Sequence, residues 1–217
     1  RMDSKRFPQK AIAKLGNKTL IEWCIDMTVD THYETILATT DRDIDKPLME
    51  IAKNKGIHYF QGDLANVSNR ILECVKQFRL DYFARINGDS PFVQKRLLLE
   101  GFKIIYENDL DFVTNLVPRA FPYGISIEIL KSDTFVSGYH NLNSSGYREH
   151  ITSYFYDNVG KFKTHCMQYG DGNDHDVRLV VDTPSDMERL NKMITASENI
   201  QEFSVAELVK LYREVVE

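Results

Sequence analysis

The sequence predicts an α/β protein with a mostly parallel central sheet and helices on both faces. Three observations lead there. Between residues 19 and 115, short β-prone runs alternate with helix-length segments, a pattern joined by right-handed crossovers into parallel strands. A strongly apolar run at residues 177–181 adds another strand late in the chain. The 217 residues, 42% apolar and 27% charged, suffice for one sizeable core and fit a globular domain.

Residues 1–10 form a basic loop. Residues 19–29 place Leu20, Ile21, Trp23, Cys24 and Met27 at near-helical spacing. A strand at 35–39 ends at Thr40-Asp41, and Pro47 lies near the start of a helix that Gly56 closes. Strands follow at 57–61, 82–86 and 112–115, with helices at 67–78 and 96–106 between them. Residues 117–124 hold two prolines and a glycine, 125–130 read as extended, and 147–156 as helical. The stretch around 116–160 is expected to be a lid or dimerisation segment of one domain spanning 1–217. Pro184 opens a further helix, and Ser204 with Glu207 has capping-box spacing before a final amphipathic helix.

A formal net charge of −5 argues against general nucleic-acid binding, which needs a basic face. Any polyanionic ligand has to meet a local basic patch. No apolar run approaches the roughly 20 residues that cross a bilayer, and no secretory leader is visible, so a cytoplasmic location is expected. Cys24, Cys74 and Cys166 are odd in number, widely spaced and without a CxxC pair, which points to buried, reduced thiols.

Ligands of open α/β sheets bind at the carboxyl ends of strands, and five places qualify. The loop Arg1-Met-Asp-Ser4-Lys-Arg6-Phe-Pro-Gln-Lys10 gathers four cations in an acidic protein. It suits a triphosphate, although a solvated basic tail would read the same. Asn87-Gly-Asp89-Ser-Pro91 and Val181-Asp182-Thr-Pro184 each put a carboxylate after a strand. If both strands share one parallel sheet, Asp89 and Asp182 can hold a hard cation, naturally magnesium, against phosphate oxygens; helix capping is the alternative. Gly62-Asp63 through Arg70 is a polar turn into a helix, a candidate base or phosphate contact or an ordinary cap. Arg119, Tyr123, Arg148 and His150 offer cations and hydroxyl partners to an anionic sugar. By contrast, Asp171 to Asp176 lacks the glycine and glutamate of an EF-hand. Zinc spacing, a Walker loop, a GxGxxG fingerprint and a GxSxG elbow are also missing.

Read together, the basic loop, Leu15-Gly16, Ala38-Thr-Thr-Asp41, Asn87-Gly-Asp89-Ser-Pro91, Phe121-Pro-Tyr-Gly124, Arg148-Glu-His-Ile-Thr152 and Val181-Asp-Thr-Pro184 occur in the order seen in the cytidylyltransferases. The chain resembles their spore-coat polysaccharide branch, related to enzymes that activate acylneuraminate and 3-deoxy-manno-octulosonate. The resemblance implies a Rossmann-like nucleotide-diphospho-sugar transferase fold, a homodimer, CTP and an acidic keto-sugar as substrates, and Mg2+ as cofactor. It assigns Arg1, Ser4, Arg6 and Lys10 to the phosphate loop and Asp89 and Asp182 to the metal. Thr40, Asp63, Arg70 and Asn87 complete the expected nucleotide contacts; Asn115, Arg119, Tyr123, Glu128, Arg148 and His150 are the candidates for the sugar. Two departures stand out: Gln9 replaces a usual glycine, and the family's first strand is expected upstream of Arg1. The rival readings are a nucleotidyltransferase using another triphosphate, a glycosyltransferase consuming a nucleotide sugar, and a silent sugar-nucleotide binding module.

Overall fold

The computed structural model describes residues 1–142, 144–170 and 172–216, apart from the side chain of Ser145. After the basic loop and a 3-10 turn at Lys10–Ile12, strands β1 (Lys14–Leu15) and β2 (Lys18–Thr19) form an antiparallel hairpin. Helix α1 (Leu20–Asp26) starts at a capping box, with Thr19 and Glu22 bonding each other's backbone. Its residue Trp23 donates its indole N–H to the Leu15 carbonyl at 2.7 Å and meets Phe92 edge-on, with ring centres 6.3 Å apart. Strand β3 (Ile36–Thr40), helix α2 (Lys46–Asn54) and strand β4 (His58–Gly62) make one parallel βαβ unit. Helix α3 (Val67–Phe78) follows, capped by Asn66, then β5 (Tyr82–Ala84), α4 (Lys95–Glu107) and β6 (Phe112–Thr114).

Strand β7 (Glu128–Lys131) inserts between β5 and β6 and is antiparallel to both. Helices α5 (Ser132–Gly138), α6 (Ser145–Glu149) and α7 (Ser153–Asp157) lead to β8 (Thr164–Cys166), which pairs parallel with β6. The chain closes with α8 (Pro184–Ala196) and α9 (Val205–Val215).

The architecture is α/β, but its sheets are small and mixed, which corrects the expectation of one mostly parallel sheet. The reason lies between β6 and β7. The segment with Pro118, Pro122 and Gly124 cannot form a crossover helix, and without one a strand returns antiparallel to its predecessor. Residues 177–181 are extended but lie in no sheet; a single bridge joins Arg178 to Tyr123. Beyond the expected elements, the structure adds the β1–β2 hairpin, α5 and the edge strand β8. Residues 147–156 divide between α6 and α7.

Helices on both faces are present. Alternate strand residues point opposite ways: Phe83, Phe112 and Leu130 pack with α3, α5 and α7, whereas Val113 and Ile129 pack with α4. A third cluster unites Trp23, Phe92, Phe121, Val177, Leu179 and Val181 with α8 and α9. This cluster underlies the carboxylates described next.

Candidate active site

Asp89 and Asp182 meet although their strands share no sheet. Val181 donates its N–H to the Asp89 carbonyl at 2.9 Å, and the segment before it is held by Tyr123, whose N–H reaches the Val177 carbonyl at 2.9 Å and whose carbonyl accepts from Leu179 at 2.7 Å. This close approach needs Gly124, which has φ of +100° and would place a Cβ 2.4 Å from the Leu179 carbonyl oxygen. The Asp89 turn closes through Ser90 N–H to the Asn87 carbonyl at 3.2 Å. Helix α1 presses on it from below: a Cβ at Gly88 would lie 3.0 Å from Ile21 Cδ1. Burial, with Asp89 close by, pushes the Cys24 thiol pKa up.

Neither carboxylate serves as a cap. Helix α8 is capped by Thr183, and Asp186 accepts from the backbone N–H groups of Asp182 and Thr183 at 2.9 and 2.8 Å. Burial disfavours the Asp186 charge, but these bonds and Arg189 outweigh it and hold its pKa below the usual value. The side chain of Asp182 is thereby left to face the basic loop.

Lys10 is the centre of the arrangement. Its Nζ donates to Asp89 Oδ2 and to the Val181 carbonyl, both at 2.8 Å, and lies 3.8 Å from Asp182 Oδ1. Arg6 donates to Asp182 Oδ1 at 2.7 Å and Arg178 to Oδ2 at 3.2 Å. The Arg6 side chain is 66% exposed against 14% for Lys10, so Arg6 is the one able to swing toward an incoming anion. Two carboxylates and a carbonyl thus converge on one cationic position. That oxygen-only set fits a hard divalent ion, which would keep its other positions for water and phosphate oxygens. Among the described residues no group of three or more His, Cys, Asp or Glu is suited to a metal.

The loop is latched from outside by Asp45. This buried carboxylate accepts from the Met2 N–H at 2.7 Å, from the Thr40 hydroxyl, and from Arg42 at 2.7 Å. Arg42 also grips Asp3 at 2.7 Å, and that hydrogen bond brings the Asp3 pKa down to about 2. Burial works against the Asp45 charge, yet its three donors hold its pKa below the usual value. Ser4 lies half-buried within the loop. Gln9 takes the left-handed conformation, with φ of 58°.

A second corner surrounds Arg1. It pairs with Asp3 at 3.5 Å, approaches Glu149 at 3.9 Å and reaches the Leu64 carbonyl at 3.5 Å. Arg70 is buried and donates to the Asp63 carbonyl at 2.7 Å, while its Nε has no acceptor among the described residues. Burial, then Arg1, lowers the pKa of this guanidinium. The Asp63 carboxylate is taken up by its own turn, accepting from Ala65 and Asn66 N–H at 2.8 and 3.0 Å, and Thr40 is engaged with Asp45. Asn87 is exposed at the rim.

The sugar candidates divide. Asn115 is buried, and both ends of its amide bridge the backbone of Ile125 and Ile127 at 2.9 and 2.8 Å. Glu128 is buried between Arg85 at 3.0 Å and the Tyr156 hydroxyl at 2.9 Å. Arg119 stacks on Tyr123, 4.2 Å from the ring centre. Arg148 and His150 are exposed beside α6, whose neighbours include Ser68, donating to the Tyr147 carbonyl at 2.7 Å, and Arg1.

Outside the site, Asp174 and Asp176 pair with Arg213 at 3.1 and 3.3 Å; Asp171 lies outside the described residues. All three cysteines are free, and Cys166 is half-buried where full burial was expected. A cavity of about 450 Å3 between the β1–β2 hairpin and the end of α8 shares no residue with the Lys10 cluster.

Residues 1–214 match the cytidylyltransferase family. The chain belongs to this family. It is a CTP-dependent nucleotidyltransferase, and the basic loop, Asp89 and Asp182 all lie within the matched span. The spore coat polysaccharide biosynthesis protein SpsF of Bacillus subtilis is 23% identical over 97% of this chain and 90% of its own length. A 3-deoxy-manno-octulosonate cytidylyltransferase of Flavobacterium johnsoniae is 31% identical over 51% of this chain and 45% of its own. A solved cytidylyltransferase from Leptospira borgpetersenii superposes with a TM-score of 0.90 at 27% identity, covering 98% of this chain and 90% of that one. No helix among the described residues of this cytidylyltransferase is long and apolar enough to cross a membrane.

The sequence reading missed three participants: Asp45 and Arg42, which latch the loop, and Arg178. A signal for Arg178 existed, since residues 178, 180 and 182 of an extended segment face the same way. Asp45 was hidden by Pro47, which drew the segment into a helix start.

Proposed function

We propose that this enzyme transfers CMP from CTP to an acidic keto-sugar, with magnesium and with release of pyrophosphate, in the synthesis of a surface polysaccharide. The observation that carries the reading is the convergence of Asp89, Asp182 and the Val181 carbonyl on a single cation, with Arg6 beside them. The sequence likeness to a 3-deoxy-manno-octulosonate cytidylyltransferase and to SpsF supports an acidic acceptor and a polysaccharide setting. The anomeric hydroxyl oxygen bonds to the α-phosphorus of CTP as the bond from that phosphorus to the pyrophosphate oxygen breaks; the hydroxyl proton leaves to solvent. Asp89 and Asp182 would hold magnesium, which when bound polarises the α-phosphate. Arg6 and Lys10 take the charge gathering on the leaving pyrophosphate, and Arg1, Ser4, Asn87 and Arg70 hold the rest of the nucleotide. On the same reading the enzyme works in the cytoplasm as a homodimer, with the 116–160 stretch of one continuous domain as its contact or lid.

The test is pyrophosphate release from each of the four common nucleoside triphosphates against eight- and nine-carbon keto-sugar acids and ordinary sugar phosphates. Release only with CTP and an acid supports the reading; CTP binding with no release sinks it in favour of a silent binding module. Asp89→Ala is expected to cost roughly a hundredfold in turnover, the usual size of a lost electrostatic contact. Near-normal turnover in that variant would remove Asp89 from the chemistry.

A further inference from the structure

The Lys10 ammonium occupies the point on which Asp89, Asp182 and the Val181 carbonyl converge. Its Nζ is 2.8 Å from Asp89 Oδ2 and from the Val181 carbonyl oxygen, and 3.8 Å from Asp182 Oδ1. An ammonium offers three donors and no acceptor, and the oxygens around it are those a hard divalent ion would take. With its side chain only 14% exposed, Lys10 is lodged among these oxygens.

The two cations exclude each other there. A magnesium ion on the same oxygens would need the space that Nζ fills, and two positive charges at such range repel. Lys10 can leave without the loop moving, because its backbone is pinned separately: its N–H donates to the Phe7 carbonyl at 3.2 Å and its carbonyl accepts from the Ala13 N–H at 3.1 Å. Only the side chain has to turn. Arg6 holds no such place. It donates to Asp182 Oδ1 at 2.7 Å from the exposed side, and among the described residues it has no bond to Asp89 or Val181.

We propose that Lys10 is the resident counter-ion of the Asp89–Asp182 pair, and that the triphosphate has to draw it off before a divalent ion can settle there. Arg6 meets the triphosphate first, and Lys10 turns onto it as phosphate oxygens replace those of Asp89 and Val181. One lysine thus holds the two carboxylates together before nucleotide binds, keeps a lone metal ion out, and afterwards takes charge on the leaving pyrophosphate. Nucleotide and metal are coupled through it, since each loosens the grip of the carboxylates on Lys10 and so favours the other. This inference rests on the proposed magnesium site and adds the order in which that site fills.

The experiment titrates Mn2+, a divalent ion that also suits carboxylate and carbonyl oxygens, into nucleotide-free protein and follows the electron paramagnetic resonance of the free ion. The proteins are the wild type, Lys10→Met, Lys10→Gln, Arg6→Met and the double variant Lys10→Met with Asp89→Asn, each checked by circular dichroism. Both Lys10 variants are expected to bind Mn2+ about 10- to 100-fold more tightly than the wild type, within the usual range of coupling between two ligands. Arg6→Met removes the same charge beside the same carboxylate but vacates no place, so its gain should stay within about fivefold, the size of an exposed ion pair. The double variant should lose the gain. The wild type answers separately through labelling of the Lys10 amine by acetic anhydride, read by mass spectrometry: Mg2+ alone should leave its rate unchanged. Wild-type Mn2+ binding as tight as in the Lys10 variants, an equal gain in Arg6→Met, a gain that persists in the double variant, or faster labelling of Lys10 in Mg2+ alone overturns the inference alone. Folded Lys10 variants that bind no Mn2+ overturn the proposed metal site and this inference with it.

Discussion

At the scale of single residues, the loop over the site is held by a few specific atoms. Gln9 adopts φ of 58° and donates its N–H to the Met2 carbonyl at 2.8 Å. The left-handed conformation costs an ordinary residue roughly 1–2 kcal/mol, whereas glycine adopts it freely but loses roughly 0.5–1 kcal/mol more entropy on folding. Gln9→Gly is therefore expected to stabilise the protein by up to about 1.5 kcal/mol, read as a rise in the urea midpoint; a fall would show that the Gln9 side chain contributes more than its backbone costs. The substitution keeps the N–H and so keeps the bond to Met2. Lys10, Asp89 and Asp182 were legible from the sequence as charges of the right kind near strand ends. Their meeting at one point was expected only through a shared parallel sheet; in the structure it depends instead on the Val181–Asp89 backbone bond, which joins residues far apart in the chain.

Among the elements, α1 acts as a floor for the Asp89 turn. Ile21 and Cys24 both lie against it, and a methyl group at Gly88 would come within 3.0 Å of Ile21 Cδ1, so that the side chain or the turn must give by a few tenths of an ångström. Gly88→Ala should displace Asp89 by a fraction of an ångström and lower turnover on the order of tenfold or more, since misplacement by 1 Å costs about a hundredfold. Adding Ile21→Val removes the opposing methyl and should restore most of the activity, although Ile21→Val alone costs about 0.5–1.5 kcal/mol of stability. A double variant no better than Gly88→Ala would rule out this contact as the cause. Periodicity revealed α1, α3, α4 and α9 because each has one buried face of regular spacing. Strand β8 and the β1–β2 hairpin escaped it: each is only two or three residues a strand, too short to establish an alternation. The 177–181 run reads as a central strand from its apolar residues, but its burial comes from α8, α9 and the Phe121 segment rather than from sheet neighbours on both sides.

Over the whole molecule, charge is distributed unevenly, and pH tests that. The protein is acidic overall, yet cations gather on the loop and are matched there by Asp3, Asp45, Asp89 and Asp182. The Arg42 hydrogen bond brings Asp3 to about 2 from 3.8, and Asp45 is also held below its usual value. A carboxyl whose pKa is lower folded than unfolded contributes stability that is complete above the unfolded value and disappears as pH falls through the folded one. The stability difference between the wild type and Arg42→Ala should thus be largest above pH 4 and close between pH 4 and 2 in thermal melts. A difference that is flat across that range would mean Arg42 acts by packing alone. The α/β class and the helices on both faces were readable from the order of elements. The mixed pairing was not, because it turns on one return connection that two prolines keep from becoming a helix.

Trp23 is the chain's single tryptophan. It sits with its indole bonded to Leu15 and its edge against Phe92, three residues beyond Asp89. The enzyme therefore carries a built-in optical reporter at the foot of its own site. A shift of the Asp89 turn on loading nucleotide would register in tryptophan emission, so substrates can be titrated and bound states timed without a dye or a coupled assay.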